Sequence, residues 1–307
     1  MQNRYYILCL IWLLQGGAFA QSFTLKQIMS SPFPENMTAA PAAARFAWTH
    51  NHEGRRSIWV ANEPNFAGKA IISYNEDDGQ ELGSLSFSPD GNLLAYVRGG
   101  GANRQGEIPN PTNHPDGAKQ LIYLIPAAGG TPLLLGEGNS PSFSPDGQRI
   151  AFLRRGKVWI TGTDGEAQAE PFFSIRGSAG SLRWAPDGSR LAFTSNRGDH
   201  VFLGIYNLAQ KSIQYLLPSV DRDGSPAWSP DGTKLAFLRI PNQKQNLPFI
   251  ERRVGLPWSI MVHDFTNEST REIWRAKEGT GSNFWSIAAE NQLFWGANDQ
   301  LVFPWEG

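Results

Sequence analysis

The sequence predicts an all-β protein, a β-propeller of four-stranded blades, and three observations carry that prediction. One motif returns almost unchanged at Ser84 to Tyr96, Ser140 to Phe152, Ser181 to Phe193 and Ser225 to Phe237, and each copy contains a Pro-Asp-Gly step. With degenerate copies ending at Trp48 and Phe303, equivalent positions (Phe46, Leu94, Ile150, Leu191, Leu235, Leu301) lie 48, 56, 41, 44 and 66 residues apart, near the period of a four-stranded blade. The 307 residues include 32 Gly and 21 Pro beside 12% aromatics, so turns are frequent and rings are plentiful enough to fill a core. About five to six blades are represented, and the set is expected to be incomplete.

The elements follow in order. Residues Met1 to Ala20 read as a secretory signal: Arg4 precedes an apolar run from Tyr5 to Leu14, and Ala18-Phe19-Ala20 supplies small residues for cleavage. The run is short for ~30 Å of hydrocarbon, so no membrane anchor is expected after cleavage and the mature chain is periplasmic or secreted. The propeller then occupies 21–307, with units near 40–83, 84–139, 140–180, 181–224, 225–290 and a partial unit at 291–307. The single cysteine, Cys9, falls in the leader, so no disulfide or thiolate metal site is available and stability must come from burial.

Within a unit, the first strand carries an aromatic (Phe87, Phe143, Trp184, Trp228, Trp295) and runs into the turn. There Pro presets φ, Asp can accept a backbone N–H, and Gly tolerates positive φ. A second strand reads Leu-Ala-Phe/Tyr. A third is apolar and often aromatic, as in Ser57 to Val60 or Lys157 to Ile160, and a fourth follows a further turn. A β-helix would need a shorter period, a sandwich would not repeat one turn at blade spacing, and no helical periodicity supports an α/β fold.

The two longest spacings come from long links between second and third strands, Arg98 to Lys119 and Pro241 to Pro257. Both belong on the face opposite the Pro-Asp-Gly turns, and long loops in a compact domain are functional candidates. In the second, Glu251, Arg252 and Arg253 offer an Arg fork for a carboxylate or a Glu for an amine, as peptide-terminus recognition requires. Arg104 and Glu107 in the first carry the same idea. Asp90, Asp146, Asp187 and Asp231 recur at one turn and read as structural. His50, His52 and Glu53 are spaced for a metal but read as a solvated turn, so no metal or cofactor is expected. With 27 basic and 28 acidic residues, nothing points to nucleic acid.

The Ser-Pro-Asp-Gly repeats behind a leader resemble the N-terminal propeller of secreted prolyl oligopeptidase-type serine peptidases. The insertion Gly106 to Pro111 and the terminal Leu301 to Gly307 resemble segments of their dipeptidyl-peptidase and acylaminoacyl-peptidase-like branch. In that family the propeller restricts substrate size and an α/β-hydrolase domain does the chemistry. This chain has no Gly-x-Ser-x-Gly nucleophile elbow, so no catalytic residue carries over. The resemblance implies a non-catalytic portion of an exported peptidase, inactive alone, with a peptide substrate and a hydrolase domain as partners. The same repeats also resemble TolB, which implies a stand-alone periplasmic propeller that binds protein partners.

Overall fold

A computed structural model describes residues 24, 33–101, 103, 107–111, 113, 115, 117–242, 257–277 and 293–303. The leader expected at 1–20 lies outside these residues, and no described helix is long and apolar enough to cross a membrane. The described chain forms five four-stranded antiparallel sheets and one strand pair.

The first sheet is β1 (Phe33–Ala39), β2 (Arg45–His52), β3 (Arg55–Asn62) and β4 (Lys69–Tyr74). The second holds β5 (Leu82–Phe87), β6 (Leu93–Arg98), β7 (Leu121–Pro126) and β8 (Leu133–Glu137). The third holds β9 (Asn139–Phe143), β10 (Arg149–Arg154), β11 (Lys157–Gly162) and β12 (Glu170–Phe173). The fourth is β13 (Ser178–Trp184), β14 (Arg190–Asn196), β15 (Val201–Asn207) and β16 (Ser212–Tyr215). The fifth is β17 (Arg222–Trp228), β18 (Lys234–Ile240), β19 (Ser259–Asp264) and β20 (Ser269–Arg275), and β21 (Phe294–Trp295) pairs with β22 (Leu301–Val302). Strands pair with their chain neighbours within each sheet, and one parallel bridge, Val201 to Arg222, joins the fourth to the fifth. The first strands of successive sheets touch one another, the arrangement of blades about an axis, and among the described residues the series does not close.

The first sheet has its own first strand, β1, which the motif does not mark. Ala40-Pro41-Ala42-Ala43 stands where the second, third and fifth sheets have Ser-Pro-Asp-Gly and the fourth has Ala-Pro-Asp-Gly, and Ala40 N still donates to Arg45 O at 2.9 Å as Ser88 N does to Leu93 O. The motif's opening serine also has a backbone explanation. Ser84, Ser140, Ser181 and Ser225 have φ of 50°, 53°, 48° and 50°, and each sits at a break in pairing register within a first strand. Such a bulge bends the strand, and a small polar residue tolerates the left-handed conformation better than a β-branched one.

Leu-Ala-Phe/Tyr places alternate side chains on opposite faces of the second strand. Leu94 and Tyr96 face the first sheet together with Ala47, Ile58 and Val60, while Ala95 and Val97 face the third with Ile150 and Phe152. The pattern continues: Leu191 and Phe193 pack on Ala151 and Val158, and Leu235 and Phe237 on Ala192 and Leu203. Tyr96, Phe152, Phe193 and Phe237 are at most 1% exposed. Each such ring contributes about 1.5–3 kcal/mol by burial. Tryptophans stitch the later seams, since Trp184 Nε1 donates to Ser142 O (3.2 Å), Trp228 Nε1 to Arg183 O (3.0 Å) and Trp295 Nε1 to Ala227 O (2.9 Å).

Phe193 also fills space over Gly204, where an added Cβ would come within 2.5 Å of the ring. Truncating Phe193 to Ala should therefore cost about 3–5 kcal/mol, read as a lowered urea midpoint at unchanged m-value.

Candidate functional site

The two ends of the sheets differ in how their polar groups are used. At the turn end, Ser88 Oγ donates to Asp90 and accepts from Leu93 N (2.9 Å), while the same carboxylate accepts from Asn92 N (3.0 Å). Asp146 and Asp231 repeat this with Ser144 and Ser229. In the fourth sheet Ala185 replaces the serine, and Asp187 accepts from Ser189 N and Oγ. The glycines that follow have φ near +70° (Gly147 +71°, Gly188 +71°, Gly232 +70°), and a Cβ there would reach the proline of the preceding turn at 3.5–3.7 Å. This face is a chain of stacked, internally satisfied turns.

Hydrogen bonds from Ser88 and Asn92 outweigh desolvation and hold the Asp90 carboxyl below its ordinary range; Ser144 and Gln148 do the same for Asp146. At Asp187, desolvation is the largest influence and opposes the shift, but the bonds from Ser189 together prevail; at Asp231, Ser229 and Thr233 lower the carboxyl to about 2.

The opposite rim bears the links between sheets and the described part of the long loop between β6 and β7. Of the residues singled out there by sequence, Glu107 is described: its carboxylate accepts from Asn103 Nδ2 (2.9 Å), and its N–H donates to Asn103 Oδ1 (2.9 Å). Arg104, Glu251, Arg252 and Arg253 lie outside the described residues. His50 and His52 end β2, and Glu53 forms the turn to β3, paired with Arg55 at 3.3 Å. The His50 ring lies 5.0 Å from that of Trp59, and burial followed by the neighbouring His52 lowers its pKa.

The rim also carries a recurring ion pair. Two residues beyond the buried aromatic of the second strand stand Arg98, Arg154 and Arg239, and each meets an acid: Asp78 in the link before β5, Glu137 at the end of β8 (3.4 Å) and Asp223 within β17 (2.7 and 2.9 Å). Their guanidinium groups also lie over rings, Arg98 over Tyr74 at 4.3 Å and Arg154 over Trp159 at 4.8 Å. The fourth sheet has Ser195 at this position, its hydroxyl donating to Arg176 O at 3.0 Å. The aromatic-x-Arg ending was readable in three motif copies, whereas the acids lie at variable distances along the chain and share no local pattern.

The fifth-sheet pair is the most buried. Asp223 is 3% exposed and engages Arg239 with both oxygens, while Arg239 also donates to Leu217 O at 2.7 Å. Burial pushes the Asp223 carboxyl up against the pull of Arg239; the same carboxylate outweighs the desolvation of the guanidinium and keeps it charged.

Two clefts adjoin these features. One, of about 290 Å³, lies at the rim end of the first sheet among His50, His52, Arg56, Trp59 and Tyr74. The other, of about 620 Å³, lies between the first strands of the fourth and fifth sheets and the last pair, among Arg183, Trp228, Phe294 and Trp295. Among the described residues no three His, Cys, Asp or Glu side chains gather as a metal site.

Residues 127–241 match the model of the TolB beta propeller domain. No curated protein matches the sequence. Among solved structures, a protein designated TolB from Agrobacterium tumefaciens superimposes over 90% of this chain and 91% of its own, at 18% identity and a TM-score of 0.54. TolB from Acinetobacter baumannii aligns over 88% of this chain and 56% of its own (19% identity, TM-score 0.52). Dipeptidyl peptidase 4 from Porphyromonas gingivalis aligns over 92% and 46% (13% identity, TM-score 0.57). The chain thus spans most of the first and about half of the other two, and these likenesses establish a TolB-like propeller fold.

Three outcomes are expected. Asp223→Ala should leave Arg239 buried without its carboxylate and cost about 3–5 kcal/mol in urea unfolding. A double replacement of Asp223 and Arg239 by apolar residues should recover much of that loss. The turn carboxyls are more acidic folded than unfolded, so their stabilisation is present above the unfolded value near 3.8 and fades as pH falls through the lower folded values. A Tm series from pH 6 to pH 2 should therefore drop more gently for Asp146→Asn than for the wild type.

Proposed function

We propose that this chain is a non-catalytic, exported propeller that recognises a peptide or protein partner through the rim bearing the sheet-to-sheet links and long loops. The contrast between the two ends carries this reading. At the turn end, serine hydroxyls and backbone N–H groups already occupy the aspartates. At the rim, basic residues, imidazoles and rings line a cleft, and Pro109 and Pro111 of the long insertion pack close to Gly100 and Gly79. Recognition surfaces need polar groups that can exchange water for a partner, and the described rim offers imidazoles and a guanidinium beside rings.

Within this reading the chain is the propeller part of a serine peptidase, where it would gate and orient short peptides for a hydrolase domain. The resemblance of Gly106 to Pro111 to such peptidases and the superposition on dipeptidyl peptidase 4 support it. A stand-alone binding module is the second reading, favoured by the TolB match over 127–241 and the 91% coverage of the Agrobacterium protein.

Two measurements on the purified chain test the common core. A fluorophosphonate probe should leave it unlabelled; stoichiometric labelling would show a nucleophilic serine and end the non-catalytic reading. A mixture of tri- to hexapeptides should slow hydrogen exchange at rim residues such as Asp78 and Glu107 while leaving the turns at Asp146 and Asp187 unchanged. Protection confined to the turn end, or none anywhere, would refute recognition through the rim.

A further inference from the structure

At three of the four seams between successive sheets, the link into the following sheet or a strand end beside it supplies an acid to the rim. Asp78 stands in the link before β5, Glu137 ends β8 and Asp223 lies just inside β17, and each holds an arginine. The remaining link, 174–177 between β12 and β13, reads Ser-Ile-Arg-Gly and contains no acid. Its charge is reversed, since Arg176 is exposed in the part of the seam from which the others draw a carboxylate.

Two more cations are tied to the same link. Lys157, at the start of β11, donates from Nζ to Ile175 O (3.2 Å) and Gly177 O (3.3 Å). Arg197, in the loop after β14, lies against the same glycine, where an added Cβ would come within 3.2 Å of its Cδ. Its Nε donates to Ser195 Oγ at 3.0 Å and Nη2 to Tyr215 OH at 3.1 Å, and the Ser195 hydroxyl in turn donates to Arg176 O. The Arg197 guanidinium also lies over the rings of Phe202 and Tyr215, at 5.5 and 5.6 Å. These partners are carbonyls, hydroxyls and ring faces, which fix position but neutralise no charge. Among the described residues Lys157, Arg176 and Arg197 make no ion pair, and the nearby acids are engaged elsewhere, Glu137 by Arg154 and Arg155 and Asp199 by His200.

We propose that the rim at the seam of the third and fourth sheets binds an acidic segment of the partner peptide, with Lys157, Arg176 and Arg197 meeting its Asp or Glu side chains. The proposal rests on the recognition of peptides through the rim and names the charge of the segment recognised. The partner's carboxylates would supply here what Asp78, Glu137 and Asp223 supply at the other seams. Charge-assisted hydrogen bonds from guanidinium and ammonium groups are the strong ones available for this. Ser195 and Tyr215 already hold Arg197 in place, so less side-chain freedom is lost when a carboxylate arrives. Glu137, bonded to Arg155, and Asp199, in the Arg197 loop, lie nearby and would repel an extended polyanion or an anionic membrane surface. A short segment with one or two carboxylates is the partner that fits.

The test uses the whole chain and two end-blocked heptapeptides in isothermal titration, one carrying two Glu residues and the other Gln at the same positions. The Glu peptide should bind roughly tenfold tighter than the Gln peptide at low salt, and the difference should shrink as salt is added. Lys157→Gln and Arg176→Gln should each remove a large part of this preference, and Arg197→Lys should retain more of it than Arg197→Gln. Lys211→Gln, between β15 and β16 at the turn end, should leave it intact, and thermal melts should show every variant folded. Equal binding of the two peptides, or a preference that survives combined Lys157→Gln and Arg176→Gln, overturns the acidic-segment site. So does retention on phosphatidylserine vesicles without any preference between the peptides. If both peptides still slow exchange elsewhere on the rim, the recognition reading stands without this site. If no peptide binds or protects any surface, both fall.

Discussion

The seating of one large ring from each second strand against the preceding sheet is the constraint on which the rest depends. With Cys9 as the single cysteine, no covalent staple is available, and Tyr96, Phe152, Phe193 and Phe237 are among the largest side chains removed from water. The small Ala before each ring, such as Ala95 or Ala192, lets the next sheet approach on the other face. A one-residue slip would put Ala where the ring belongs on every seam at once. The turns therefore carry more than local geometry: by fixing where each second strand starts, they fix which face its ring occupies.

That division of labour separates the two ends chemically. A turn that must set register benefits from saturation, and Ser144, Asp146 and the N–H groups of Gln148 and Arg149 satisfy one another over a few residues. At the far end of the same strands, the polar partners come from the links and the adjoining strand ends, so satisfaction depends on what each of these contributes. Arg239 finds the nearly buried Asp223 and also Leu217 O, Arg154 finds the half-exposed Glu137, and the fourth sheet substitutes Ser195. Buried pairs of the first kind are rigid and costly to break, while exposed ones contribute little. Variation in chemistry is thus concentrated at the rim without disturbing the seams below it.

The same separation explains what the sequence made legible. The Pro-Asp-Gly step, the Leu-Ala-Phe/Tyr strand and the aromatic of the first strand lie within thirteen residues of one another, so local reading finds them and with them the propeller. The first turn escaped because Ala42 and Ala43 replace the Asp and Gly that mark the others, although the bond from Ala40 N to Arg45 O persists. The rim pairs escaped for a different reason. Asp78 precedes Arg98 by 20 residues, Glu137 precedes Arg154 by 17 and Asp223 precedes Arg239 by 16, so they form no fixed spacing. Glu107 was legible as a loop residue, but its tie to Asn103 appears only in three dimensions.

The first sheet departs from the others at this rim position, where His50 stands. In the second, third and fifth sheets the residue two beyond the ring is an Arg paired with an acid, and in the fourth it is Ser195, bonded to Arg176 O. Among the described residues no sheet lies against the leading face of the first, and Phe46 there is 39% exposed, so the side chain at position 50 has no described seam to reach across. A shorter, half-buried imidazole suffices there, and burial holds it below its ordinary pKa. Ser57 opposite His50 and the neighbouring Trp59 keep the strand pattern, so one rim position varies while the register beneath it holds.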